Sequence, residues 1–170
     1  MPYLAPLSWY LGEECTGDVS PCRAVLPGDV RLTIPLAGGR KALRAYMQGG
    51  DAELSEHGNW RHTHIGAIRS VFGRYPYFSH YFPEIERLIA DASCRSLRKL
   101  NMAVHSALCR DIFVSGAAES LSLAAGRDPE FVGNLCAERM RGLDPHVSML
   151  AALFSLGPDT IFLFFRSLIS

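Results

Sequence analysis

Polar and apolar side chains alternate along residues 31–36, which is the period of a strand with one buried face. A second short apolar run covers residues 23–26, and the Pro-Gly-Asp sequence at residues 27–29 between the two runs favours a turn. Pro35 lacks a backbone N–H, so the second strand is predicted to be an edge strand or to end there. The pattern therefore predicts two short N-terminal strands, followed by a turn at residues 37–40.

Beyond residue 54 the apolar side chains recur every three to four residues, the period of amphipathic helices. Ser93 is predicted to be the N-cap of the third of these helices, which continues to about residue 113. No element is assigned to residues 41–54. An apolar stretch at residues 160–165 predicts a C-terminal strand that joins the sheet. The fold class is therefore α+β, or a small α/β layer, in a single domain spanning residues 1–170. About five central helices are predicted, over residues 60–72, 76–90, 93–113, 128–142 and 144–156.

The composition is that of an ordinary globular protein, with 48% apolar and 20% charged residues. Seventeen basic residues balance seventeen acidic ones, which argues against a generic nucleic-acid or anionic-membrane binder, although a local basic pocket is compatible with neutrality. No signal sequence or transmembrane segment is apparent. An odd number of cysteines without paired spacing predicts reduced thiols and a cytoplasmic protein; they are Cys15, Cys22, Cys94, Cys109 and Cys136.

The helix predicted over residues 60–72 carries two polar side chains on its apolar side. At about 100° per residue, Trp60 and Ile68 lie on one broad arc, and Arg61 and His64 fall within it. An unpaired buried polar group costs about 1–3 kcal/mol, and an unpaired charge costs more. Both side chains therefore need either structural partners or a functional reason to be there.

Two interpretations of these side chains are open. In the first, Arg61 forms a structural ion pair with a nearby carboxylate. In the second, Arg61, His64 and His57 line a cleft, where Arg61 binds a carboxylate or phosphate and His64 is the catalytic acid or base. The candidate partners for a structural pair are Glu53, Glu56 and Glu84.

The segment that follows this helix contains too many aromatic rings for one buried face. Tyr75 and Tyr77 have polar ends and are candidates for a substrate-binding surface. Trp60, by contrast, is most simply a core anchor. Some of these rings are therefore predicted to lie at a groove or an interface.

No metal or cofactor is predicted. His62 and His64 are two residues apart on a helix and point about 200° away from each other, so they cannot share one ion. The sequence contains no Gly-Lys-Ser/Thr loop for a nucleotide phosphate and no Gly-x-Ser-x-Gly nucleophile elbow.

Several segments together resemble the WbqC-like protein family. Residues 2–10 resemble its opening motif, an aromatic, proline and leucine run that ends on an aromatic pair. Residues 23–26 and 32–36 resemble its next two strands, although Cys22 stands where the family favours Asn. The most characteristic block comprises Asn59, Trp60, Arg61 and His64, followed by the aromatic residues at 75–78 and 81–82.

The resemblance implies a transferase of surface-polysaccharide (O-antigen) biosynthesis that moves an aminoacyl group, specifically glycyl, to a sugar. Its substrate would be a small molecule, sugar nucleotide or glycan, with His64 and Arg61 as catalytic residues. The alternative is a non-catalytic carbohydrate- or protein-binding or assembly module whose exposed aromatic residues form a partner or homodimer surface. The implied cleft contains Tyr3, Trp9, Tyr10, Arg23, Trp60, Arg61 and His64, to which the residue pattern adds His57, Tyr75 and Tyr77.

Overall fold

The computed structural model describes residues 22–110, Leu150 and residues 153–158. Within them, strands β1 (Arg23–Leu26) and β2 (Val30–Thr33) form an antiparallel hairpin, which confirms the two predicted N-terminal strands. The second strand ends at Thr33, two residues before Pro35. The helices are α1 (Gly39–Met47), α2 (Trp60–Phe72), α3 (Phe78–Ala90) and α4 (Leu97–Cys109).

The hairpin leaves the Thr33 carbonyl of β2 directed away from its partner strand. Arg23 lies opposite Thr33, and the Ile34 N–H of the neighbouring pair donates to the Cys22 carbonyl at 2.8 Å. Residues opposite each other in an antiparallel ladder alternate between bonded and non-bonded pairs. Arg23 and Thr33 are therefore a non-bonded pair, and the Thr33 carbonyl needs a partner outside the hairpin.

Helix α1 occupies a segment to which the sequence pattern assigned no element. It begins at Gly39 after Gly38, whose φ of 89° lies in the left-handed region that favours glycine. The predicted turn at residues 37–40 is therefore wrong in its second half. The Tyr46 hydroxyl accepts a hydrogen bond from the Asn101 amide at 3.2 Å, which fastens α1 to α4.

Helix α2 has the predicted bounds, whereas α3 and α4 begin later than predicted. Helix α3 begins at Phe78, two residues after Pro76. The N-cap of α4 is Ser96 and not Ser93, because the Ser96 hydroxyl accepts the Lys99 N–H at 3.0 Å. The Ser93 hydroxyl instead donates to the Asp91 carboxylate at 2.6 Å, in the loop after α3.

The core lies between the hairpin and helices α2, α3 and α4. Phe72, Phe82 and Phe154 pack with their rings in edge contacts, and Phe154 belongs to the helical residues 153–158. This confirms that the end of the helix predicted over residues 144–156 is helical. The fully buried members of the core include Leu26, Ile34, Leu54, Ile68, Phe72, Ile85, Ile89, Leu97 and Phe154.

The described part of the chain is α-rich, with one short antiparallel hairpin. The predicted C-terminal strand at residues 160–165 and the predicted helix at residues 128–142 lie outside the described residues. Among the described helices, none has both the length and the apolar character to cross a membrane.

Candidate functional site

The chain enters α2 through a left-handed turn that determines where His57 lies. Residues His57–Asn59 form a short 3-10 turn, with φ values of 80° at Gly58 and 51° at Asn59. Asn59 occupies the N-cap position, but its side chain makes no capping hydrogen bond. Helix α2 therefore does not reach back to His57, whose side chain is exposed and not on the buried face of α2.

Arg61 is buried and fully engaged with the protein. Its Nε and Nη2 donate to the Glu56 carboxylate at 3.0 and 2.8 Å, a bidentate ion pair. Its Nη1 donates to the Ile89 carbonyl at 2.7 Å, and Nη2 also donates to the Cys94 carbonyl at 2.8 Å. The structural ion pair that the sequence left open is therefore present, and Glu56 is the partner.

This guanidinium connects three segments of the chain. The Ile89 carbonyl lies at the end of α3, and the Cys94 carbonyl lies in the loop before α4. The hydrogen bonds from Arg61 hold the pKa of the Glu56 carboxyl below its ordinary value of 4.5. Arg61 thus positions the start of α2 against the α3–α4 connection.

Trp60 lies between the two polar side chains of α2. Its ring centroid is 5.1 Å from that of His64 in an edge arrangement, and the Arg61 Cζ lies 4.5 Å from the centre of the ring. The side chain is buried, and its Nε1 has no hydrogen-bond partner among the described residues. Trp60 is therefore part of the core, as its position on the apolar arc indicated.

His64 fastens α2 to the hairpin. Its Nε2 lies 3.1 Å from the Thr33 carbonyl oxygen, the group that the hairpin directs outward. A carbonyl only accepts hydrogen bonds, so Nε2 carries the proton and Nδ1 carries the lone pair. The contact satisfies a backbone carbonyl that the hairpin directs away from its partner strand, and it also fixes the tautomer of the imidazole.

Burial controls the charge of His64, which is 3% exposed. Desolvation lowers the pKa of the imidazole from its ordinary 6.5 to about 4, and the hydrogen bond to the Thr33 carbonyl opposes this with a smaller effect. At neutral pH the side chain is therefore an uncharged imidazole inside the core.

We expect acid to weaken the fold through this histidine. As the pH falls from 6.5 towards 4, the unfolded chain takes up the proton before the folded chain does, so the free energy of unfolding decreases across this window. Between pH 7 and pH 5 the loss should be about 2 kcal/mol, measured by urea denaturation. The lowered pKa values of carboxyls such as Glu56 change the free energy of unfolding mainly below pH 4.5. The decrease between pH 7 and pH 5 therefore comes from His64, and His64→Gln should flatten the profile of free energy against pH in this window. Parallel profiles of the two proteins would contradict the assignment.

Arg23 is brought to the same end of the hairpin as the His64 contact. It pairs with Thr33 across the ladder, and its side chain is exposed. Among the described residues it makes no ion pair, in contrast to Arg61. Arg23 is therefore an exposed cation whose backbone lies opposite Thr33, the residue that His64 contacts.

The aromatic segment after α2 is divided between core and surface. Tyr75 is half-buried, with its ring 5.3 Å from that of Phe72 in an edge contact. Tyr77 is 36% exposed, and its backbone N–H donates to the Phe154 carbonyl at 3.0 Å. Tyr77 therefore presents its ring to solvent, whereas Tyr75 packs partly on α2. The predicted cleft residues Tyr3, Trp9 and Tyr10 lie outside the described residues.

One feature of this region carried little signal in the sequence. The carbonyl groups of Thr33, Ile89 and Cys94 accept hydrogen bonds from the buried polar side chains of α2, and a backbone acceptor has no residue type to mark it.

Among the described residues, no three His, Cys, Asp or Glu side chains come together as metal ligands would.

The hairpin, the helices and the polar contacts of α2 define an α-rich protein in which α2 is anchored on both sides. The sequence profile of the WbqC-like protein family matches residues 24–143 of the chain. The chain belongs to this family, as the resemblance of its motifs predicted. No curated protein and no solved structure matches it.

Proposed function

We propose that this protein is a cytoplasmic transferase of surface-polysaccharide (O-antigen) biosynthesis, which moves an aminoacyl group, specifically glycyl, onto a sugar. Membership of the WbqC-like family supports the pathway, since that family is associated with surface-polysaccharide gene clusters. The observation that carries the chemistry is His64, a buried and uncharged imidazole whose tautomer is fixed by the Thr33 carbonyl.

The proposed step uses the basic nitrogen Nδ1 of His64, which is buried in this structure, so the step requires an opening that lets the substrate reach it. Nδ1 accepts the proton of the attacking sugar amine or hydroxyl while that nitrogen or oxygen bonds to the acyl carbon of the donor. The bond from the acyl carbon to the leaving group then breaks, and the leaving group takes the bonding electrons and the proton. The lowered pKa makes His64 a weak base that returns the proton readily.

The cations have separate roles in this scheme. Arg23 binds the anionic donor or the sugar phosphate in this proposal, because its side chain is exposed and its backbone pairs with Thr33, the residue that His64 contacts. Arg61 is a positioning residue, since Glu56 and two backbone carbonyls occupy its guanidinium. In this proposal Trp60 orients His64 from within the core, and the exposed His57 and Tyr77 and the half-buried Tyr75 are candidates for sugar binding. The resemblance to the family adds Tyr3, Trp9 and Tyr10 as further proposed substrate-binding residues.

The test is transfer of isotope-labelled glycine. The full-length protein is incubated with activated glycyl donors and a panel of nucleotide-linked amino sugars, and the products are analysed by mass spectrometry. A labelled glycyl-sugar that forms only with active protein is the expected result. Sugar binding by the folded protein, without product from any donor, would overturn the transferase.

Arg23→Gln should raise the KM for the anionic substrate about tenfold or more, because a charge-assisted hydrogen bond contributes about 1.5–3 kcal/mol. The melting temperature should stay close to that of the wild type, since the side chain is exposed. Steady-state kinetics would measure the change. Arg31→Gln is the matched control, because it removes an exposed cation from the other strand of the hairpin. Equal effects of the two substitutions would argue against a substrate contact by Arg23.

A second candidate function is a non-catalytic carbohydrate- or protein-binding module, favoured by the exposed ring of Tyr77 and the exposed side chain of Met102. Such a module would use these side chains as a partner or homodimer surface. Light scattering separates the two candidates: a dimer that Tyr77→Ser dissociates supports the module, and a monomer with turnover supports the transferase.

A further inference from the structure

We propose that the solvent-facing side of α1 docks the protein on an anionic lipid bilayer. This side, called the basic face below, consists of Arg40, Lys41, Arg44 and Met47. Binding to a bilayer is separate from the transferase proposal and has its own readout.

The helical geometry of α1 places these side chains together. At about 100° per residue, Arg40, Arg44 and Met47 fall within about 60° of one another, and Lys41 lies beside them. Burial agrees with this arrangement, because all members of the basic face are exposed. The opposite side is half-buried against the core and carries Ala42, Leu43 and Tyr46.

The cations of the basic face lie in a segment of the sequence that contains no acidic residue. Residues 30–50 contain Arg31, Arg40, Lys41 and Arg44 but no acidic residue. The three cations of α1 make no ion pair with any described residue. Elsewhere in the described structure arginines are commonly paired, as Arg69 is with Glu86. Positive charge without local compensation is what an anionic surface attracts.

One observation favours a bilayer over other anionic partners. Met47 is 70% exposed on the same side as the cations, and a thioether fits the boundary between headgroups and acyl chains. A convex helix side with cations and one apolar group matches a flat, anionic, partly apolar surface.

The experiment is cosedimentation of the full-length protein with vesicles. Phosphatidylcholine vesicles with phosphatidylglycerol should bind the protein, whereas pure phosphatidylcholine should not, and salt should weaken the binding. The triple variant Arg40→Gln, Lys41→Gln, Arg44→Gln should bind about tenfold or more weakly, because each cation near an anionic surface contributes separately. A melting curve checks that this variant is folded.

The control removes the same charge elsewhere, through Arg69→Gln, Arg74→Gln and Arg87→Gln on α2, α3 and their connection. This control should bind like the wild type. Hydrogen exchange of the wild type should slow at residues 39–47 when anionic vesicles are added, a readout that needs no variant. The proposal would be overturned if the wild type does not bind the anionic vesicles, or if both triple variants lose binding equally. It would also be overturned if the protein binds an oligonucleotide with equal affinity, or if exchange slows only in other segments.

Discussion

His64→Gln should lower kcat for glycyl transfer by about 10²–10⁴-fold, the usual contribution of a positioned acid–base group. The glutamine amide has an N–H that can replace the Nε2 donor to the Thr33 carbonyl. It has no basic nitrogen to replace Nδ1. The substitution therefore removes the proposed proton acceptor while it keeps the contact that holds α2 to the hairpin.

His64→Ala is the matched variant, because it removes the base and the donor together. It leaves the Thr33 carbonyl without its partner and a cavity in the core, so it should unfold at lower denaturant than His64→Gln. The pair separates the two roles of the side chain. Full turnover by folded His64→Gln would eliminate His64 as the base, and the buried imidazole would then be structural alone.

Arg61→Met should destabilise the fold by about 3 kcal/mol at pH 7, the lower end of the cost of removing one partner of a buried ion pair. The lower end applies because the Glu56 side chain is 36% exposed and can be rehydrated. The Ile89 and Cys94 carbonyls lose their hydrogen-bond donor in this variant. The Ile89 contact is buried, so water does not readily replace the lost donor there. Urea denaturation followed by circular dichroism would measure the change.

Arg69→Met serves as the comparison, since it removes an arginine from the same helix. Arg69 pairs with Glu86 at 2.7 Å, but its side chain is 57% exposed, so its loss should cost about 0–1 kcal/mol. If Arg61→Met costs no more than Arg69→Met, Arg61 is not the anchor that its hydrogen bonds indicate. Loss of turnover with unchanged stability would return Arg61 to the catalytic role that the sequence suggested.

The periodicity of α2 was sufficient to predict its bounds and its buried side. Arg61 and His64 fall within the apolar arc of these thirteen residues, which predicted that both would be buried, and both are. Glu56 was among the three carboxylates named as candidate partners of Arg61, and it is the partner. The other partners could not be predicted, because they are the backbone carbonyls of Thr33, Ile89 and Cys94. His57 was predicted to join the buried face only if α2 extended back to it. The left-handed turn at Gly58 makes α2 begin after His57, so His57 is not on that face.

Tertiary contacts also explain the errors in the other helices. Ser93 and Ser96 are both residue types that cap helices, and the sequence alone gave no reason to prefer the second. The Asp51 carboxylate, 45 residues away, accepts the Ser96 hydroxyl and so fixes the start of α4. Helix α1 is short and rich in charge, and its hydrogen bond from Asn101 to Tyr46 joins residues 55 positions apart.

The hydrogen bonds of Arg61 have a consequence for how the molecule opens. They reach backbone groups 28 and 33 positions further along the chain, at the close of one helix and just ahead of the next. If α2 lifts away, those carbonyls lose their donor, so the neighbouring helices are weakened at the same moment. Local fluctuations are thereby suppressed, and α2, α3 and the beginning of α4 should exchange their amide protons as one cooperative unit.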